Sequence, residues 1–291
     1  MITLDDFLNY LRRSKYSPDT LDTYGSLLSN FESWLDMRNK SLDTFTTLDA
    51  QEYSKKSYAT SSANTFIAAV KSYLRFRVGT LPMGDPNLMQ ETQRENQIRL
   101  LRAGRTPSKI KKSALSVEEV GQLFKKMRDN GAGETELCGA ILSFYFGART
   151  TELSVGLKKA RINWKKCEMI IPTLKRGGSE RYIAWHESIT PYLQKWYDAV
   201  DGISYPREWI TKKLHKYKVG GLTITSRVAR KTFQTNMRNV GIDDFYADHI
   251  LGHVSKSPIA DVYTDYSDES FKDKIREIMC DKHYMVIAGL I

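Results

Sequence analysis

With 291 residues, 41% of them hydrophobic, and a formal net charge of +10, the chain has room for one large or two ordinary domains and enough apolar content to build real cores. The basic excess points to a polyanionic partner, and the lack of a charged-then-apolar leader or of an apolar run of bilayer length points to a cytoplasmic protein with no membrane partner. Cys138, Cys167 and Cys280 lack metal-ligand spacing and the five histidines are scattered, so buried free thiols are expected and neither a metal nor a cofactor is.

Taken in order, the chain opens with Thr3 capping a helix whose apolar side is Phe7, Leu8 and Leu11. Ser17 followed by Pro18 starts a second helix, with Leu21, Tyr24, Leu28, Phe31 and Leu35 along one face. Helical patterns over 47–58 and 61–78 complete a four-helix domain, residues 1–85, in which basic and acidic residues balance. From Pro86 to Lys112 basic residues predominate, and Gly104, Pro107 and Ser108 break any helix running through Gln90 to Arg102. This reads as an interdomain linker, 86–112, in which Lys109, Lys111 and Lys112 are candidates to track phosphates; a merely solvated linker is the plainer alternative.

A second domain, 113–291, begins where Ser116 caps a helix carrying Val120, Leu123 and Phe124. The almost wholly apolar helix 136–146 ends in Gly147-Ala-Arg149-Thr-Thr-Glu152. Strand character follows over 161–185, with Gly177-Gly178 at a hairpin turn, and helical patterns return around 189–200 and 205–217. Thr225 and Gly241 bracket a helix with Ala229, Phe233, Met237 and Val240 facing the core, while Arg227 and Arg230 stand side by side on its rim. Gly252 stops a short helix just before His253, and a Ser-Lys-Ser-Pro turn leads to Tyr263 and Tyr266. Ser267 or Ser270 then caps a last helix with Phe271, Ile275, Ile278 and Met279 on one face, and the uncharged tail 284–291 is expected to dock, either in a groove of its own domain or on a neighbouring subunit.

Singly, these motifs have ordinary readings: an exposed Arg-Glu pair, a helix end with a solvated imidazole, a packed tyrosine. As an ordered set, Arg149 with Glu152, Arg227-Val-Ala-Arg230, Leu251-Gly-His253 and Tyr263-Thr264 resemble the tyrosine recombinase (phage integrase) family. The phrase Ser17-Pro-Asp-Thr-Leu-Asp-Thr-Tyr24 resembles that family's core-binding domain, and Ala114-Leu-Ser-Val-Glu-Glu-Val the start of its catalytic domain. Two departures stand out: Arg227 occupies the place of a histidine, as in archaeal plasmid and virus integrases of the family, and the spacing from His253 to Tyr263 is one residue longer than usual.

The resemblance implies a mainly α, two-domain fold: an N-terminal four-helix core-binding domain and a C-terminal mixed-α catalytic domain with a small antiparallel β-sheet. A phosphodiester is a poor electrophile wrapped in negative charge, and fixed guanidiniums can offset charge on its nonbridging oxygens as five-coordinate phosphorus forms. By resemblance Arg149, Arg227 and Arg230 hold the phosphate, His253 adds a hydrogen bond, Glu152 supports Arg149, and Tyr263, rather than Tyr266, attacks. Family members carry a general-acid lysine in the β-hairpin; Lys175 is the choice here, with Arg176 and Lys165 as competing positions. The implied product is a 3′-phosphotyrosine formed without ATP or metal, and the implied assembly is a tetramer on two double-stranded DNA sites. A type IB topoisomerase and a catalytically inactive DNA-binding relative are the alternatives.

Overall fold

The chain, described by a computed structural model over residues 3–58, 60–100, 112–172, 180–253 and 268–291, divides into two compact units, Met1–Lys109 and Ile110–Ile291. In the first, capping sets the helix starts. Thr3 and Asp6 form a reciprocal capping box at α1 (Leu4–Arg13), Ser17 caps α2 (Pro18–Asp36) ahead of its proline, and Thr46 and Asp49 repeat the box at α3 (Thr47–Ser57). With α4 (Thr60–Thr80) they enclose a core that includes Phe7, Leu28, Phe31, Leu35, Phe66, Val70 and Leu74.

A fifth helix, α5 (Leu88–Leu100), corrects the four-helix domain ending at residue 85 and the linker beginning at 86. It belongs to the first unit because Ile98 is buried in the same core and because its Glu91 and Arg94 find their partners there. Glu91 pairs with Arg77 of α4 at 3.1 Å, and Arg94 donates to the carbonyls of Asp43 and Phe45 at 2.9 and 2.8 Å. One apolar anchor plus buried ion pairs leaves little apolar periodicity to read, so the helix looks like linker in sequence.

In the second unit a Ser116–Glu119 capping box starts α6 (Val117–Asp129), and α7 (Glu134–Tyr145) runs through the core, buried along most of its length. The strands β1 (Arg161–Asn163), β2 (Glu168–Pro172) and β3 (Glu180–Ala184) form an antiparallel sheet in that order, with Met169 opposite Ile183. After α8 (Thr190–Ala199) and α9 (Pro206–His215) comes a hairpin that sequence alone does not mark, β4 (Lys218–Val219) and β5 (Leu222–Thr223). Its turn needs positive φ at Gly220 and Gly221, which those glycines supply.

Thr225 caps α10 (Ser226–Asn239), and Gly252, left-handed, ends α11 (Asp244–Leu251). The cap of α12 (Glu269–Cys280) is Asp268, not Ser267 or Ser270; the Ser270 N–H and hydroxyl both donate to the Asp268 carboxylate. The tail forms a short α13 (Tyr284–Ile287) capped by His283, and Tyr284 and Met285 are fully buried in the core of their own unit. The Tyr284 hydroxyl donates to the Phe144 carbonyl at 3.0 Å, so the tail docks in cis. Of the thiols Cys138 is buried, whereas Cys167 and Cys280 are only half-buried; all three are free. Among the described residues no helix is long and apolar enough to cross a membrane.

Candidate active site

The site is organised by the turn that ends α7. Gly147 has a φ of +56°, and a Cβ there would lie 2.6 Å from Leu251 and 2.9 Å from Phe233, so glycine alone lets this turn press against α10 and α11. The chain then folds back on itself: the Arg149 N–H donates to Glu152 Oε2 at 2.8 Å and Arg149 Nη1 to Glu152 Oε1 at 2.9 Å. Glu152 opens a π-helical turn, Glu152–Gly156, a local distortion frequent at functional sites, and its side chain is only 1% exposed. The pair is therefore not the ordinary surface pair its spacing alone allows.

Arg230 reaches the same carboxylate from α10. Its Nη1 donates to the Gly147 carbonyl at 2.9 Å and its Nη2 to the Leu251 carbonyl at 2.6 Å, with Nη1 also 3.9 Å from Glu152 Oε2. Burial first, and then the charge of Arg149, push its pKa down to about 10, while Glu152 and Asp248 oppose the shift.

A third guanidinium arrives from β3. Arg181 lies 3.4 Å from both Glu152 oxygens and donates through Nε to the Ile250 carbonyl at 3.1 Å. Burial lowers its pKa, an effect that Glu152 opposes. Three guanidiniums thus share one carboxylate, with side-chain exposure rising from 4% at Arg181 through 14% at Arg230 to 25% at Arg149. The positive excess is open to solvent on the Arg149 side, where an anion can meet it.

His253 follows the left-handed Gly252 and shares Asp248 with Gln234, its Nδ1 2.8 Å from Asp248 Oδ1. That contact fixes the ring and turns Nε2 away from the carboxylate. Arg227, in the first turn of α10, is exposed and makes no hydrogen bond or ion pair with any described residue. Lys112 is paired with Glu119 rather than free. Lys165 is exposed in the turn between β1 and β2. Lys109, Lys111, Lys175 and Tyr263, with Arg176 and Tyr266, lie outside the described residues.

The fold therefore brings together Arg149, Glu152 and Arg230 as the motifs imply, with Leu251 joining them through its carbonyl. Sequence alone misses Arg181 and Asp248. A charged residue opening the apolar stretch Arg181-Tyr-Ile-Ala-Trp185 is the signal for the first; for the second it is a carboxylate five residues before the histidine, across a helix end.

Residues 4–79 match the phage integrase N-terminal SAM-like domain. The chain is 26% identical over 291 residues to the tyrosine recombinase XerA of Pyrococcus horikoshii, a match covering 94% of this chain and 92% of that protein. Over nearly its whole length, then, the chain is similar to tyrosine recombinases. That relative is archaeal, in keeping with the resemblance to archaeal members of the family. The chain's two-unit fold is shared with a lambda integrase dimer bound to a COC′ core site, at TM-score 0.61 and 16% identity over 91% of this chain and 95% of that one. A lambda integrase tetramer bound to a Holliday junction matches at TM-score 0.58 and 15% identity, over 91% of this chain and 77% of that one.

Proposed function

We propose that this chain is a site-specific DNA recombinase that cleaves and rejoins strands through a 3′-phosphotyrosyl intermediate. The observation that carries the reading is the cluster of Arg149, Arg181 and Arg230 on the carboxylate of Glu152, an excess of buried and half-buried positive charge in which Arg149 and Arg230 stand at the positions of the family's arginine motifs. Arg149 and Arg230 bind the nonbridging oxygens of the scissile phosphate, and His253 adds a donor as charge develops there. Tyr263 attacks phosphorus and its phenolic proton passes to solvent, the P–O5′ bond breaks, and Lys175 protonates the departing 5′ oxygen. The phosphotyrosyl bond keeps the energy of the broken phosphodiester, so rejoining draws on no nucleotide and no metal. Arg227 is a further phosphate clamp, and Lys109, Lys111 and Lys112 follow the DNA backbone.

Double-stranded DNA is the partner and a homotetramer on two sites the working assembly. The likeness to integrase structures bound to a core site and to a Holliday junction supports both. The test starts from duplexes selected from a random-sequence pool by binding to the purified chain, then made into nicked substrates that trap covalent adducts. Adducts are expected from the unaltered chain and from Tyr266→Phe but not from Tyr263→Phe, which should still bind. Adducts lost with Tyr266→Phe instead would move the nucleophile. No adduct from any form would favour an inactive DNA-binding relative, and relaxation of supercoiled DNA without site preference would favour a type IB topoisomerase.

A further inference from the structure

Arg181 belongs to none of the motifs that identify the site, yet it is the most deeply buried guanidinium in it, 4% exposed. It touches three separate parts of the second unit. Through Nη1 and Nη2 it reaches both oxygens of Glu152 at 3.4 Å, and through Nε it holds the carbonyl of Ile250 in the last turn of α11. It also fills the space beside Gly252, where a Cβ would lie 2.7 Å from Nη1 and 2.9 Å from Cζ. The glycine of Leu251-Gly-His253 is thus required twice, once by its φ of +63° and once by the guanidinium packed against it. Arg181 itself sits at the start of β3, directly after the hairpin segment that carries Lys175.

We propose that Arg181 is a positioning residue for strand cleavage: it holds Glu152 so that Arg149 faces the phosphate, and it fixes the turn that presents His253. This rests on the recombinase reading above. Arg181 does not meet the substrate; buried behind Glu152, it acts through Arg149 and His253. A bidentate fork suits the role because one planar group can span a carboxylate and a carbonyl on a neighbouring helix end, which an ammonium cannot do at once.

The test compares Arg181→Met and Arg181→Lys with the unaltered chain in single-turnover adduct formation. Two nicked substrates carry the selected site: a normal phosphodiester, and a methylphosphonate in which a methyl group replaces one nonbridging oxygen and removes its charge. If Arg181 works by aiming the groups that offset that charge, Arg181→Met should slow adduct formation on the phosphodiester about a hundredfold and Arg181→Lys about tenfold. Both should react within about threefold of the unaltered chain on the methylphosphonate, with unchanged DNA affinity. Equal loss on both substrates would mean a structural residue only, and no loss on either would mean no role; each overturns the proposal. Should Arg181→Met fail to fold, Arg181→Lys, which keeps the charge beside Glu152, decides. An unaltered chain that forms no adduct on either substrate sinks the recombinase reading itself, a result distinct from any pattern among the variants.

Discussion

In the first unit, Arg77 meets the carboxylates of Asp43 and Glu91, and Arg94 meets Glu91 at 2.7 Å and two backbone carbonyls. In the second, Arg149, Arg181 and Arg230 all meet the carboxylate of Glu152. Both clusters use the same groups at similar depth, and each is partly satisfied by carbonyls. Among the described residues they differ in stoichiometry: two cations with two anions make a lock that fastens α5 to its unit, whereas three cations on one shared carboxylate leave charge for a ligand to meet. A buried arginine is therefore not by itself the mark of a binding site; the unbalanced count around it is.

The sharpest way to break this contrast is to remove the carboxylate from each cluster. Glu91→Gln leaves Arg77 short of a partner and should destabilise the first unit by about 3 to 5 kcal/mol, without slowing adduct formation under conditions where the chain stays folded. Glu152→Gln should cost the second unit a similar amount, about 3 to 5 kcal/mol, and should also slow cleavage, because Arg149 loses its orienting partner. Denaturant unfolding followed with probes in each unit, beside single-turnover assays, separates the two. If Glu91→Gln slows cleavage as much as Glu152→Gln does in folded protein, the first cluster is no mere lock.

Removing a cation comes next in size. Arg149→Ala should slow adduct formation by about a hundred- to a thousandfold, roughly 3 to 4 kcal/mol of barrier. It should leave the unfolding midpoint of the second unit unchanged or slightly raised, since it relieves the repulsion that helps depress Arg230. A clear fall in that midpoint would make the second cluster a lock like the first.

These two clusters also show what sequence can and cannot carry. Capping is local, so Thr3, Ser17, Ser116 and Thr225 mark their helices in the chain itself, and the structure keeps each as a cap. Arg149 and Glu152 are three residues apart, and Gly147 marks the turn that aims them, so this part of the site is legible too. Arg181 meets Glu152 across 29 residues of sequence, and Arg94 meets the Phe45 carbonyl across 49. Nothing within either segment announces such a partner. The tail shows the same limit: its apolar composition says that it docks, but only the buried Tyr284 and its bond to Phe144 say where.

Acid provides a smaller effect that again separates the units, because all five histidines lie in the second. His283 is fully buried, its Nε2 2.9 Å from the Tyr145 carbonyl, and burial holds its pKa down to about 3. The unfolded chain takes up this proton near pH 6.5 and the folded chain refuses it until about pH 3, so the unfolded state binds more protons in between. Stability is then full above about pH 6.5 and falls on acidification, by about 1.4 kcal/mol per pH unit well inside the window, or about 2 kcal/mol at pH 5. His283→Asn, which keeps a side-chain acceptor for the Met285 N–H, should flatten this dependence in the second unit's unfolding midpoint. An unchanged acid slope in that variant would assign the loss to other groups.

The smallest effect is expected at Arg227, and its size follows from position. It stands in the first turn of α10, where exposed N–H groups and the helix dipole already favour an anion and disfavour a cation. With no described partner to compensate, it costs the free protein a few tenths of a kcal/mol, so Arg227→Ala should slightly stabilise the second unit. Once a phosphate is present the same charge becomes favourable, but a solvated guanidinium contributes only about 1 kcal/mol, roughly fivefold in adduct formation, against the hundredfold or more expected at Arg149. Arg227→Lys should recover most of that fivefold, because a single charge near the helix start suffices and no buried fork is involved. A guanidinium cannot shuttle protons near neutral pH, so neither variant should alter the pH profile of cleavage. A loss at Arg227→Ala as large as at Arg149→Ala would show that the exposed arginine closes onto the buried cluster when DNA binds. Equal, unaltered rates for both variants would place it outside the site.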